Sequence, residues 1–283
     1  MQRQKRALAI HDISCFGRCS LTVALPILSA AGIECAIIPT AVFSTHTGGF
    51  TDFTMRDLTG DILPIVKHWQ TENLGFDAIY TGFLGSFEQM DIVAEVFDRL
   101  RAQDTLVVVD PVMADHGQLY SIFPPTFPEG MRKLCAKADV IVPNMTEAAL
   151  LLGEEYRPGP YTREEIERML KALCALGPKG AVLTGVSFGG ETLGAASYDA
   201  ATGTMGYADA PLVAQMYHGT GDVFGSALVA ALLRGKPLAA ACEAAVRFTV
   251  ESIERSFRAG TDNRFGVNFE ESLAGLSAII AGV

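Results

Sequence analysis

The strongest constraint on this chain is an alternation. Short apolar runs, rich in β-branched residues, are separated by longer stretches with helical spacing. The runs are ALAIHD (7–12), CAIIPTAV (35–42), DAIYTGF (77–83), TLVVVDP (105–111), DVIVP (139–143) and GAVLTG (180–185). None alternates apolar with polar residues at period two. A strand covered on one face does so; these strands are therefore expected to be buried on both. Between them, REEIERMLKALCAL (163–176) repeats its apolar residues at helical spacing, and Thr162 with Glu165 makes a capping box. Ser86 and Gln89 predict the same box for a helix starting near residue 87. The alternation predicts an α/β fold, a mostly parallel central sheet with helices on both faces. Residues 192–209 differ, and their turn signals within strand-like alternation predict an antiparallel hairpin at the sheet edge. A long Ala-rich helix is predicted over 237–258, with Pro237 in its first turn.

The chain has 283 residues, 49% of them hydrophobic, enough for a large core. It shows no internal repeat and no evident linker, so one domain over residues 1–283 is expected. A formal net charge of -10 repels phosphate backbones, which argues against nucleic acid as a partner. No apolar run reaches membrane-spanning length, and MQRQKRALAIHD reads as a first strand, not a signal peptide. Six scattered cysteines fit reduced thiols and a cytoplasmic location. Cys15 and Cys19 are the one tight pair, with no second pair of soft ligands to complete a zinc site.

In open parallel sheets ligands bind at the carboxyl ends of strands, so the strand-ending residues carry the functional reading. HGTGDVFGSAL (218–228) places Gly219, Thr220 and Gly221 ahead of Asp222 at the start of an apolar helix. The glycines permit unusual backbone conformations, and a helix N-terminus offers unpaired N–H donors to an anion. Asp222 is then a candidate base that takes a proton from an attacking alcohol. The same four residues also read as a helix cap. There is no G-K-[ST], so this is not a Walker loop. Asn144 and Glu147, three apart at a strand–helix junction, read either as a capping box or as an acidic site for Mg²⁺ and its water shell. DPVMADHGQLY (110–120) supplies Asp110, Asp115 and Tyr120, and FSTHTGGF (43–50) supplies His46 and Thr47; solvated loops are the plainer reading of both.

Together these stretches resemble the ribokinase superfamily, and within it the pyridoxal kinase family. GTGD (219–222) resembles the superfamily's anion hole and catalytic aspartate, and Asn144 with Glu147 its N-x-x-E motif. PTAVFSTHTG (39–48), TGFLGSFEQ (81–89) and DPVMADHGQLY are similar to pyridoxal kinase segments, in the same order along the chain. The resemblance implies a three-layer α/β/α ribokinase-like fold. It also implies ATP- and Mg²⁺-dependent phosphorylation of the hydroxymethyl group of pyridoxal, pyridoxine or pyridoxamine, by a cytoplasmic homodimer. Asp222 would be the base, and Gly219, Thr220 and Gly221 the anion hole. Asp110, Asn144, Glu147 and Thr184 would serve the nucleotide. Asp115, Tyr120 and Glu147 would serve the metal and its waters. Asp12, His46, Thr47 and Phe83 would line the vitamin pocket.

Two positions depart from the family pattern. Phe83 replaces a usual tyrosine, and Asp12 stands where a serine near the end of the first strand is frequent. A carboxylate at residue 12 within reach of a pyridine nitrogen would favour the pyridinium form. The alternatives are a hydroxymethylpyrimidine kinase of the same superfamily and a non-catalytic vitamer-binding protein. A sugar or nucleoside kinase fits less well, because no early paired-glycine sugar loop stands out.

Overall fold

The computed structural model describes residues 3–282. The first half contains β1 (Arg6–Ser14), α1 (Leu21–Ala30), β2 (Glu34–Phe43), β3 (Met55–Asp57), α2 (Thr59–Thr71), β4 (Ala78–Thr81), α3 (Phe87–Leu100) and β5 (Leu106–Val109). A small hairpin, β6 (Ala114–Asp115) and β7 (Gln118–Leu119), leads into α4 (Phe127–Cys135), β8 (Val140–Ile141), α5 (Met145–Leu152) and α6 (Arg163–Cys174). The second half continues with β9 (Gly180–Val186), β10 (Thr192–Asp199), β11 (Thr204–Pro211), α7 (Thr220–Leu233), α8 (Leu238–Arg258) and α9 (Leu273–Ala281).

Nine strands form one sheet in the order β11-β10-β9-β8-β5-β4-β1-β2-β3. The block from β9 to β2 is parallel, and β10, β11 and β3 add antiparallel edges. The edge hairpin expected over 192–209 is β10 paired with β11. The missing period-two alternation has its cause in two cores. Ala7 and Ala9 of β1 pack with α1, α7, α8 and α9, whereas Leu8 and Ile10 pack with α2 to α6. The chain runs from β1 outward to β2, then returns to β4 on the other flank of β1. That reversal of direction opens a crevice beyond the carboxyl ends of β1 and β4.

Four local expectations need correction. β1 runs on to Ser14, past residue 12, and its register with β2 shifts between His11 and Ile13. Asp12 therefore has no cross-strand partner, and such irregularities re-aim a side chain. Pro237 is the N-cap of α8, in extended conformation, so the helix begins one residue later. The Ser86–Gln89 box is half formed: Ser86 accepts from the Gln89 N–H, but Gln89 Oε1 accepts from the Gly85 N–H. The Gln89 amide instead ties α3 to the Thr40 carbonyl and the Thr59 hydroxyl, an interior use that local spacing does not encode. Gly219 alone of the two motif glycines has positive φ, at 76°. The boxes at Thr162/Glu165 and Asn144/Glu147 are complete.

Candidate active site

The carboxyl ends of β1, β4 and β5 meet the N-termini of α5 and α7 in the crevice. Gly219 caps α7 with no side-chain acceptor, so no side chain occupies the first-turn N–H groups. The helix is 14 residues long, and its partial positive end faces the crevice. Asp222 lies in that first turn, its side chain 16% exposed. Burial pushes its carboxyl up to about 7; the Ser20 backbone N–H works against that shift, and the Asp12 charge adds to it. An aspartate in this state is half ionised near neutral pH.

Two other buried carboxyls share the field. Asp110, just past β5, is held well above the carboxylate range by burial, with the Glu147 and Asp222 charges adding to it. Burial lifts Glu147 to about 8 against the N–H bonds it accepts from Asn144 and Met113. Among the described residues no lysine or arginine forms a salt bridge with Asp110, Glu147 or Asp222. Three uncompensated carboxyls around one crevice leave a place for a hard cation, whose preferred ligands are oxygens.

The structure brings most of the sequence-selected residues to this crevice and gives several of them structural partners. Asn144 Oδ1 accepts from the Thr146 and Glu147 N–H groups, and its amide donates to the Ala114 carbonyl. Thr184 bridges to Asn144 across the β8–β9 junction. Asp115 is on the β6–β7 hairpin, where it accepts from the His116 N–H. Asp115 and Tyr120 are close enough to Glu147 for their charges to be felt together. Yet among the described residues no three His, Cys, Asp or Glu side chains form a ready-made metal cluster. Thr220 donates to the Tyr217 carbonyl. Asp12 accepts from Ser20 Oγ at 2.6 Å and Ser14 Oγ at 3.2 Å, within its own loop.

In the 43–50 loop, His46 Nδ1 accepts from the Gly48 N–H at 3.1 Å, and Nε2 lies 2.6 Å from the Arg264 carbonyl oxygen. The carbonyl can only accept, so Nε2 carries the proton, and burial lowers the ring pKa. Thr47 is exposed on the same loop. Phe83 packs between Phe43 and Phe123, which makes it part of an aromatic wall.

Other residues at the crevice were given no role from the sequence. His218 stacks obliquely on His46 at 5.3 Å between ring centroids, and its position directly before GTGD was the available signal. Phe265 and the Arg264 carbonyl arrive from a turn after α8, where Phe265 meets Phe16 and Phe50. No local pattern links residue 264 to residue 46. His11 is fully buried beside Asp222, and Tyr80 meets its ring edge-on.

A parallel sheet reversed at β1, a helix behind GTGD without a side-chain cap and a buried aspartate in its first turn fit a small-molecule kinase of the ribokinase-like class. The chain belongs to the phosphomethylpyrimidine kinase family, whose model matches residues 25–266. Pyridoxal kinase from Lactobacillus plantarum superposes with TM-score 0.89 at 34% identity, covering 98% of each chain. A Bacteroides thetaiotaomicron protein, provisionally described as a phosphomethylpyrimidine kinase and crystallised with pyridoxal, gives TM-score 0.92 at 37% identity. That match covers 97% of this chain and 96% of the other. Pyridoxal kinase from Arabidopsis thaliana is 29% identical over 66% of this chain, a match that spans 60% of the plant enzyme's length.

Proposed function

We propose that this chain transfers the terminal phosphoryl group of ATP to the hydroxymethyl group of a vitamin B6 vitamer. The observation that carries the reading is Asp222, a carboxyl raised to about 7 in the first turn of an uncapped helix. The substrate hydroxyl gives its proton to Asp222 as its oxygen forms the new bond to phosphorus. The bond from phosphorus to the ADP oxygen breaks. The first-turn N–H groups after Gly219 receive the charge on the transferring phosphoryl oxygens. Asp110, Glu147 and Asp115, with Tyr120 beside them, would hold Mg²⁺ jointly with the nucleotide phosphates. When bound, that ion supplies charge neutralisation on those phosphates. Both ring nitrogens of His46 are engaged within the protein, so it offers the vitamer a neutral ring face, and Phe83 offers an aromatic face without a hydroxyl.

The similarity to pyridoxal kinases over nearly the whole chain supports the B6 substrate. The family match supports a second reading, phosphorylation of hydroxymethylpyrimidine. Both share the crevice chemistry and differ in the ring. The deciding experiment measures ATP-dependent phosphate transfer to pyridoxal, pyridoxine, pyridoxamine and hydroxymethylpyrimidine side by side. A kcat/KM for hydroxymethylpyrimidine above that of every vitamer would reverse the assignment. Vitamer binding without transfer would make the chain a binding protein.

A further inference from the structure

Three consecutive carbonyls beyond α8 each serve a different segment of the crevice. The Asn263 carbonyl accepts from the His218 N–H at 3.3 Å, directly before GTGD. The Arg264 carbonyl accepts from His46 Nε2 in the 43–50 loop. The Phe265 carbonyl accepts from the Arg18 N–H at 3.2 Å, in the loop between β1 and α1. Packing follows the same lines. A Cβ on Gly49 would lie 2.9 Å from Arg264 Cγ, and a Cβ on Gly266 2.8 Å from Arg18 Cβ, so the segments meet too closely for a side chain at either glycine.

The turn is itself held in shape. Asp262 Oδ1 accepts from the Arg264 N–H at 3.0 Å, and the same carboxylate binds the Arg264 guanidinium through Nε and Nη2. Downstream, Val267 and Phe269 are buried, and the Asn268 N–H donates at 2.7 Å to the buried Ser256 hydroxyl on α8. The segments it serves differ in what else supports them. The GTGD end is fixed by α7, which is buried from Val223 to Ala231. The tip of the 43–50 loop has no such support. Among the described residues, 46–50 hydrogen-bond outside themselves only to the Phe16 and Arg264 carbonyls. Phe16 in turn lies in the loop that the Phe265 carbonyl holds at Arg18.

We infer that the Asp262–Gly266 turn is a positioning element: it sets the tip of the 43–50 loop against the GTGD helix end, and Asp262 is the positioning residue that keeps its carbonyls in line. This rests on the proposed reading of the 43–50 loop as the vitamer side and GTGD as the phosphoryl side. Transfer needs that spacing fixed, because a misplacement of about 1 Å can cost on the order of 10²-fold in rate. The plainer role for the turn is to close the chain between α8 and α9. Magnitudes separate the two. The Asp262 and Arg264 side chains are 33% and 48% exposed, and ion pairs this open to water add little stability. A purely structural Asp262 would therefore be dispensable.

The test compares Asp262→Ala with Asp262→Asn, which keeps an oxygen for the Arg264 N–H. Ring ¹⁵N NMR reads the His46 bond directly, since Nε2 carries the proton and Nδ1 accepts. In Asp262→Ala that ring signal should shift, and kcat/KM for pyridoxal should fall about tenfold or more. The Kd for ATP by calorimetry and the slow hydrolysis of ATP without vitamer should stay within about twofold, and Tm within about 2 °C. Asp262→Asn should match wild type in every measurement. An unshifted His46 signal in Asp262→Ala overturns the assignment of Asp262. A shifted signal with unchanged kcat/KM overturns the positioning role. Equal losses in transfer and in vitamer-free hydrolysis overturn it as well, in favour of general loosening. A wild type that phosphorylates neither a vitamer nor hydroxymethylpyrimidine fails the functional reading itself, before any variant is compared.

Discussion

His11 Nδ1 lies 3.9 Å from Asp222 Oδ1, and the histidine ring is fully buried. The gap is too long for a hydrogen bond, and burial keeps the ring neutral by lowering its pKa to about 3. The pair is therefore not a charge couple. If Asp222 is the base, as proposed, the proton taken from substrate would stay on it, and one ionisation near 7 should govern turnover.

The first prediction follows directly. kcat should rise with pH through about 7, because only the ionised carboxyl accepts a proton. Asp222→Asn should lower kcat by roughly 10²- to 10⁴-fold, the usual worth of general-base catalysis. ATP binding by calorimetry should persist. Near-normal turnover in the variant would leave Asp222 as a first-turn acid and nothing more.

A second prediction concerns stability. Folding raises Asp222 from 3.8 to about 7 and Glu147 from 4.5 to about 8. The folded state then binds more protons than the unfolded chain between these limits, so stability must fall as pH rises across that window. The ligand-free protein should show a lower Tm at pH 8 than at pH 5. Asp222→Asn and Glu147→Gln should each flatten the slope. A Tm that climbs from pH 5 to pH 8 in the ligand-free protein would show that these carboxyls are not the dominant titrating groups.

Glu147 gives the third. Its Oε2 accepts from the Asn144 N–H at 2.8 Å and its Oε1 from the Met113 N–H at 3.0 Å. A glutamine must turn an NH₂ toward one of these donors, which costs about 1–3 kcal/mol for a buried unpaired group. Glu147→Gln should therefore unfold at lower temperature. It should also need more Mg²⁺ for half-maximal rate, since it removes charge from the same crevice as Asp110. Lost stability with an unchanged Mg²⁺ response would confine Glu147 to its capping box.

The parallel sheet and its hairpin edge were legible because apolar runs with two buried faces leave a mark in local sequence. So were both complete capping boxes and the placement of Asp222 in a helix's first turn. What local sequence did not carry was set by distant contacts. The Arg264 carbonyl that fixes the His46 tautomer comes from 218 residues away. Gln89 abandoned its predicted cap because Thr40 and Thr59 offered interior partners. Asp12 was legible as a strand-ending acid, but its orientation depends on a register shift and on Ser20, neither visible in a run of apolar letters.

The two glycines of the motif make the last prediction, because they are glycine for different reasons. Gly219 has φ 76°, and a Cβ there would overlap the Arg18 carbonyl. Gly219→Ala must strain the backbone and displace the 17–20 loop, so it should lose both stability and turnover. Gly221 has no positive φ, and a Cβ there would meet no protein atom within 4 Å. It lies within α7, where replacing glycine by alanine typically stabilises by about 0.4–1 kcal/mol. Nothing in the ligand-free protein therefore requires glycine at 221. A phosphoryl group seated on the first-turn N–H groups would require it, because the methyl group would enter the anion's space. Gly221→Ala should melt slightly higher than wild type without ligand, yet gain less Tm from ATP and turn over at least tenfold more slowly, the cost of about 1.4 kcal/mol. A variant that is more stable and fully active would show that the phosphoryl group does not bind at this helix end.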